Sequence, residues 1–130
     1  EGDPRVKAKI RQKMRELFRM RMMNAVPRAD VVITNPTHVA VALKYESGMI
    51  APMVLAKGLR KRAERIKALA KIHNIPTVEA PPLARSLYRN CKEGQYILPE
   101  FFAAVAAILA KLQREGRRNF MKKDKLPKAA

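Results

Sequence analysis

Residues 29–45, ADVVITNPTHVAVALKY, decide the fold prediction for this chain. Two runs rich in apolar and β-branched residues, 29–34 and 39–45, flank a polar tetrapeptide at positions 35–38. Such runs favour strands, and the tetrapeptide between them is long enough to turn the chain. The stretch therefore predicts a hairpin, or two neighbouring strands of one sheet.

The sequence that follows alternates short strands with helices. Residues 53–56 and 77–79 predict a third and a fourth strand, and residues 57–74 between them predict an amphipathic helix. A strand, a helix and a strand in this order predict a right-handed crossover. Two more helices are expected at residues 81–91 and 99–115, each opened by proline. The second of these is apolar almost all round until its end, so we expect it to lie deeply against the sheet.

A long basic helix is predicted before the hairpin. Residues 6–23 contain no Gly or Pro and place Ile10, Met14 and Leu17 at helical spacing. The apolar stripe is thin, so this helix needs a neighbour, which the residues leave open as the domain, a partner or a membrane surface. The predicted fold class is α/β: a small mixed sheet of about four strands flanked by helices, with this long basic N-terminal helix.

Length and charge set the domain organisation. A chain of 130 residues can bury one core. We therefore expect a basic linker helix over residues 1–26, one α/β domain over 27–115 and a basic disordered tail over 116–130. The net charge of +17 is attractive to nucleic acid, anionic lipid or an acidic protein, and composition does not choose among them. The single Cys91 excludes an internal disulfide and fits a reducing compartment.

No membrane span or signal peptide is predicted within these residues. No apolar run approaches the roughly 18–20 residues that a span needs. The first residues lack the basic and apolar regions of a signal peptide, and the opening without methionine suggests a soluble piece cut from a longer protein.

The Asn35–Pro36 bond allows two interpretations: a plain turn, or a peptide bond built to break. In the usual reaction, the backbone nitrogen of the next residue attacks the asparagine side chain. Proline has no N–H, so this reaction cannot occur here. In the reverse attack, the Asn35 amide nitrogen adds to its own main-chain carbonyl carbon, closes a succinimide and expels Pro36. His38 is the candidate to move a proton, and Thr37 can cap the turn or stabilise the oxyanion. These residues alone leave both interpretations open.

No cofactor or metal site is predicted. His38, His73 and Cys91 share no short ligand spacing. The aromatic residues are not interleaved with the basic ones, which argues against a platform for stacking bases and against nucleic acid as a partner. The basic face of residues 57–71 is either a solvated face or a docking surface.

The tetrapeptide and its flanks, VPRADVVITNPTHVAVALKY at residues 26–45, resemble the cleavage site of the FlhB/YscU family. This family comprises the substrate-specificity switch proteins of flagellar and type III secretion export. Residues 1–12 are similar to the stretch after the family's membrane domain, residues 51–58 to its next strand, and residues 75–98 to its later helices. The likeness covers residues 1–112, and the paired prolines in EAPPLARSLY favour the flagellar branch.

The resemblance implies roles for the tetrapeptide. Asn35 is the residue that cyclises, Pro36 becomes a new N-terminus, and Thr37 and His38 are the supporting members of the catalytic motif. The chemistry then happens once per molecule, in a single intramolecular turnover rather than as a turning-over enzyme.

The resemblance also implies partners and a location. The cleaved fragments, residues 1–35 and 36–130, stay associated through the sheet. Family members lie at the cytoplasmic face of the bacterial inner membrane, behind a multi-pass membrane domain, and help change export from hook-type to filament-type substrates. The implied partners are export apparatus proteins and exported flagellar substrates. The alternative is a basic module that binds nucleic acid or an anionic surface and whose Asn-Pro turn is inert.

Overall fold

The computed structural model describes residues 2–118. The strands are β1 (Val31–Asn35), β2 (Val39–Lys44), β3 (Met53–Leu59) and β4 (Thr77–Glu79). The helices are α1 (Pro4–Ala25), α2 (Lys61–Ile72), α3 (Pro81–Asn90) and α4 (Phe102–Arg114). Short 3₁₀ turns at Val26–Arg28 and Pro99–Phe101 precede β1 and α4.

The four strands form one mixed sheet in the order β3-β2-β1-β4. β2 is antiparallel to both β1 and β3, whereas β4 is parallel to β1. The hairpin predicted around the tetrapeptide is therefore confirmed, and so is the α/β fold class with a small mixed sheet. β1 lies inside the sheet, with hydrogen-bonded neighbours on both sides, and α2 carries the chain from one edge strand to the other.

Each face of the sheet has its own core, because side chains alternate between the faces along a strand. On one face, Ile33 and Val41 pack with Leu87 of α3 and Val105 of α4. On the other face, β1 and β2 pack against α2 and the end of α1, through the side chains Val32, Ala42, Ile66 and Met22. The helices thus lie on both faces, and α1 and α2 share one of them.

The start of α2 differs from the prediction. Residues 57–59 continue β3, because they pair with residues 39–41 of β2, and the helix begins only at Lys61. Gly58 makes this junction possible: a Cβ atom there would lie 2.6 Å from the Cβ of Arg62. The end of α2 is as predicted, since Asn74 has a φ of 57° and the Ile75 N–H donates to the Ala70 carbonyl, as in a Schellman motif.

The prediction that the last helix is buried deeply is wrong. Val105, Leu109 and Leu112 face the core, but Phe102 is 39% exposed. The alanines at positions 103, 104, 106, 107 and 110 are exposed as well. Alanine favours helix without needing burial, so an alanine-rich apolar composition does not require a buried position.

The N-terminal helix is longer than predicted and contacts the domain only near its C-terminal end. Phe18 and Met22 pack on the core shared with α2, whereas Ile10, Met14 and Leu17 remain exposed. Between residues 2 and 118, no helix has both the length and the hydropathy to cross a membrane. Of the predicted basic tail, residues 119–130 lie outside the described residues.

Candidate functional site

The four predicted site residues meet in one tight turn between β1 and β2. Asn35 ends β1 and is paired with Val39, the first residue of β2. The His38 backbone N–H donates to the Asn35 carbonyl oxygen, with 2.9 Å between the two atoms. Pro36 and Thr37 occupy the two central positions of this turn, and Thr37 and His38 are exposed.

Thr37 has a φ of 71°, in the left-handed region. Pro36 cannot adopt a positive φ, so a positive φ at Thr37 alone corresponds to a type II turn, in which glycine is usual at this position. A β-branched residue there is held against its own preference, at a cost of roughly 1–2 kcal/mol. The turn that contains the Asn35–Pro36 bond is therefore strained.

The Asn35 carbonyl is the group that cyclisation would attack. Its oxygen already accepts the His38 N–H, which withdraws electron density and is placed to stabilise the negative charge that nucleophilic addition puts on this oxygen. Across residues 2–118, the Asn35 side-chain amide has no hydrogen-bond partner that would compete for its nitrogen. Within these residues, no hydrogen bond therefore holds this nitrogen away from the adjacent carbonyl.

His38 also lines an open depression beside the turn. The residue is exposed, and the depression, of about 810 Å³, is lined by Arg60, Lys61, Glu64 and Arg65 as well. The backbone of His38, rather than its ring, makes the contact with Asn35. The ring thus has access to solvent, through which a proton can be exchanged.

Sequence reasoning missed Arg60. Its backbone N–H donates to the His38 carbonyl at 2.9 Å, which joins the turn to the junction between β3 and α2. Arg60 has a φ of 47° and a ψ of −113°, a conformation that glycine adopts far more readily. An arginine carries no turn signal, and the helix predicted from position 57 ran across it. Two strained residues, Thr37 and Arg60, therefore flank the His38 peptide unit.

The other candidate ligands lie apart. His38 is in the turn, His73 is exposed at the end of α2, and Cys91 is buried in the core beneath α3. In the part of the chain that the structure describes, no three His, Cys, Asp or Glu side chains come together as a metal-binding group.

This turn, on a small mixed α/β domain, defines the class of protein. A profile of the family described as FlhB HrpN YscU SpaS Family matches residues 1–112. The chain belongs to this family, as its resemblance to the FlhB/YscU proteins predicted.

Among individual proteins, the chain is similar to flagellar relatives. It is 55% identical over 111 residues to the flagellar biosynthetic protein FlhB of Salmonella typhimurium, a match that covers 85% of this chain and 29% of that protein. The flagellar biosynthetic protein FlhB of Bacillus subtilis is 51% identical over 111 residues, with 85% and 31% covered. The chain thus spans about a third or less of the length of these relatives.

Solved structures give the same result. The cytoplasmic domain of FlhB from Shewanella putrefaciens has a TM-score of 0.70 and 44% identity, and the match covers 74% of this chain and 80% of that one. A mutated EscU C-terminal domain has a TM-score of 0.66 and 38% identity, with 69% and 90% covered. These neighbours confirm the predicted connection to flagellar and type III export proteins.

Proposed function

We propose that this chain is the self-cleaving domain of a flagellar protein-export component and that it breaks its own Asn35–Pro36 bond. One observation carries the proposal: the Asn35 carbonyl is held in a strained turn by the His38 N–H at 2.9 Å. The side-chain amide that would attack this carbonyl belongs to the same residue, so the reacting atoms are never far apart.

The reaction begins when the Asn35 amide nitrogen adds to the main-chain carbonyl carbon of the same residue. A new C–N bond closes a succinimide ring, and the carbonyl oxygen passes through an oxyanion that the His38 N–H stabilises. The bond from this carbon to the Pro36 nitrogen then breaks. The proton lost by the attacking nitrogen is transferred to the Pro36 nitrogen through water or the His38 imidazole, so Pro36 leaves as a secondary amine. Water later opens the succinimide.

Geometry and strain lower the barrier of this reaction. An amide nitrogen is a poor nucleophile, but reacting groups of one residue, once correctly oriented, reach effective molarities of about 10⁵ to 10⁸ M. Breaking the Asn35–Pro36 bond also frees Thr37 from its left-handed conformation, which releases about 1–2 kcal/mol of strain. The uncut turn is thus raised in energy relative to the cut chain.

The fragments 1–35 and 36–130 stay associated in this proposal. β1 lies between β2 and β4, so the strand of the first fragment keeps its ladders to the second on both sides. The first fragment also contributes buried side chains, Met22, Val26 and Val32 among them, to a core that it shares with residues of the second. The cut frees the turn and leaves the sheet in place.

The lasting role that we propose is control of export substrate specificity, from hook-type to filament-type substrates. The partners are export apparatus proteins and exported flagellar substrates. The chain spans 29% of its Salmonella relative, which supports a longer parent protein with a multi-pass membrane domain. In that protein, residues 1–26 link the membrane to a domain over residues 27–115 at the cytoplasmic face of the inner membrane.

Intact mass under denaturing conditions tests the cleavage. The parent and an Asn24→Ala control, which alters an asparagine of α1 outside the turn, should each give two masses that meet between Asn35 and Pro36. Asn35→Ala should give one mass and an unchanged circular dichroism spectrum. A single mass in the parent would mean that the Asn35–Pro36 bond stays intact in a plain turn. The same two masses in Asn35→Ala would point to a contaminating protease.

A further inference from the structure

A basic groove of about 580 Å³ lies between α1 and the first turns of α2. The cations that line it, and that define the basic groove here, are Arg15, Arg19, Lys61, Arg62 and Arg65. Lys61 and Arg65 also line the depression that contains Thr37 and His38. The basic surface is therefore continuous from α1 to the Asn-Pro turn.

The groove contains more positive charge than the described chain neutralises. Glu16 is the acidic residue of the lining, and its carboxylate is bound by Arg19 at 2.9 Å. Within residues 2–118, neither Lys61 nor Arg65 forms an ion pair, although Glu64 lies between them on the same helix. The groove is thus left with uncompensated cations.

The placement of these cations also opposes the stability of α2. A helix N-terminus carries a partial positive charge, so Lys61 and Arg62 in the first turn are repelled by it. Arg60, at the N-cap, provides no side-chain hydrogen bond to offset this. The contact with Phe18 accounts for Arg62, and Glu64 is an acidic residue of the same turn. Lys61 has neither explanation, so an anionic group from outside the chain is the natural source of compensation for its charge.

We propose that the basic groove binds a carboxylate-rich segment of a partner protein. This inference rests on the proposed function, since it names a partner class for the surface beside the cleavage turn. Arg15 and Arg19 are four residues apart on α1, as are Lys61 and Arg65 on α2, which places each pair on one face of its helix. Acidic side chains four apart on a helical segment match this spacing, and guanidinium groups bind carboxylates in bidentate fashion.

The groove fits a protein segment better than a nucleic acid. Single-stranded nucleic acid binds through bases that stack on open aromatic faces. The aromatic ring of the groove, Phe18, has the Arg62 guanidinium over it at 4.0 Å from the ring centroid, so this face is taken. A flat lipid surface would meet only the rims of a groove whose cations come from two different helices.

Fluorescence polarisation with a defined probe tests the proposal. The probe is a fluorescein-labelled synthetic alanine helix with glutamate at every fourth position, titrated with the 130-residue chain. The test variant is Lys61→Gln/Arg65→Gln. The charge-matched control is Arg85→Gln/Arg89→Gln, two exposed positions of α3 on the opposite face of the sheet. We expect roughly a tenfold loss of affinity in the test variant, as for two ion pairs, and less than about a twofold loss in the control.

Two results would overturn the proposal. Equal losses in both variants would mean that the probe responds only to net charge. The second is tighter binding of another ligand, either a single-stranded oligonucleotide or phosphatidylglycerol vesicles. If that binding also depends more strongly on Lys61 and Arg65 than peptide binding does, the groove belongs to another class of ligand. Intact mass of the same samples reports the cut separately. If the chain is cut but does not bind the probe, only the proposal for the groove is refuted. If the parent binds the probe but stays uncut, only the proposal of self-cleavage is refuted.

Discussion

The Asp30 carboxylate accepts two hydrogen bonds from the Arg118 guanidinium, each at 3.2 Å from Oδ1. Asp30 is fully buried just before β1, whereas Arg118 follows α4. The same guanidinium donates to the Ala29 carbonyl at 3.1 Å, and the Tyr45 N–H donates to the other carboxylate oxygen at 2.9 Å. This ion pair joins parts of the chain that lie on opposite sides of the proposed cut.

Arg118→Ala should destabilise the domain. The substitution removes the Arg118 cation from a buried carboxylate, which costs about 3 kcal/mol, at the lower end for a broken buried pair because Asp30 keeps other interactions, the Tyr45 N–H among them. Urea unfolding of the uncut Asn35→Ala chain measures the change. Arg117→Ala is the matched control: Arg117 pairs at 3.5 Å with the exposed Glu115, so it should change the free energy of unfolding by less than about 0.5 kcal/mol. Equal effects of the two variants would show that Asp30 does not depend on Arg118.

Thr37→Gly should stabilise the uncut turn. Glycine removes the strain of a β-branched residue at a φ of 71° and adds some freedom to the unfolded chain, for a net gain of about 1 kcal/mol in the Asn35→Ala background. Thr77→Gly, at an exposed position of β4, should instead lower the free energy of unfolding by about 0.5–1 kcal/mol. In the parent chain, Thr37→Gly should slow the appearance of the two fragments. Loss of stability in both glycine variants would show that Thr37 is not strained.

Arg60→Gly and Arg62→Gly should change the free energy of unfolding in opposite directions. At Arg60, glycine relieves a φ of 47° and should raise the free energy of unfolding by about 1 kcal/mol. At Arg62, inside α2, glycine should lower it by about 1 kcal/mol, because helix propensity falls and the contact with Phe18 is lost. Urea unfolding in the Asn35→Ala background compares them directly. A lower stability of both variants would mean that the Arg60 side chain stabilises the domain by more than its strained backbone destabilises it.

His38→Ala should slow the cut without abolishing it. The backbone N–H that polarises the Asn35 carbonyl is present in alanine, and only the proton exchange by the ring is lost. We expect the rate of cleavage to fall by about a hundredfold or less, at the low end for general acid–base catalysis. The position is exposed, so water can transfer the proton in place of the ring. The rate is the loss of intact mass with time after translation is stopped. If His38→Ala behaves as Asn35→Ala does, the imidazole is indispensable and the backbone contact is secondary.

The hairpin could be predicted from the sequence because it depends on neighbours along the chain, whereas the roles of its four turn residues rest on the family resemblance and stay a prediction. β-Branched runs on both sides of Asn35–His38 indicate strands whatever they pack against. Arg60 could not be predicted, since its strained conformation results from the pairing of β3 with β2 and from the close approach of Gly58 to Arg62. The Asp30–Arg118 pair joins residues 88 positions apart, a separation at which periodicity carries no information.

The central place of β1 in the sheet gives the proposed cut a thermodynamic consequence. An uncut domain refolds at a rate independent of concentration, whereas a cut domain becomes a heterodimer whose reassembly obeys mass action. Separation of residues 1–35 would also expose unpaired edges on both β2 and β4, which invite aggregation. In dilute solution, a cut domain that opens completely should therefore fail to return. Once made, the cut would give the molecule a lifetime set by its rate of unfolding rather than by its equilibrium stability.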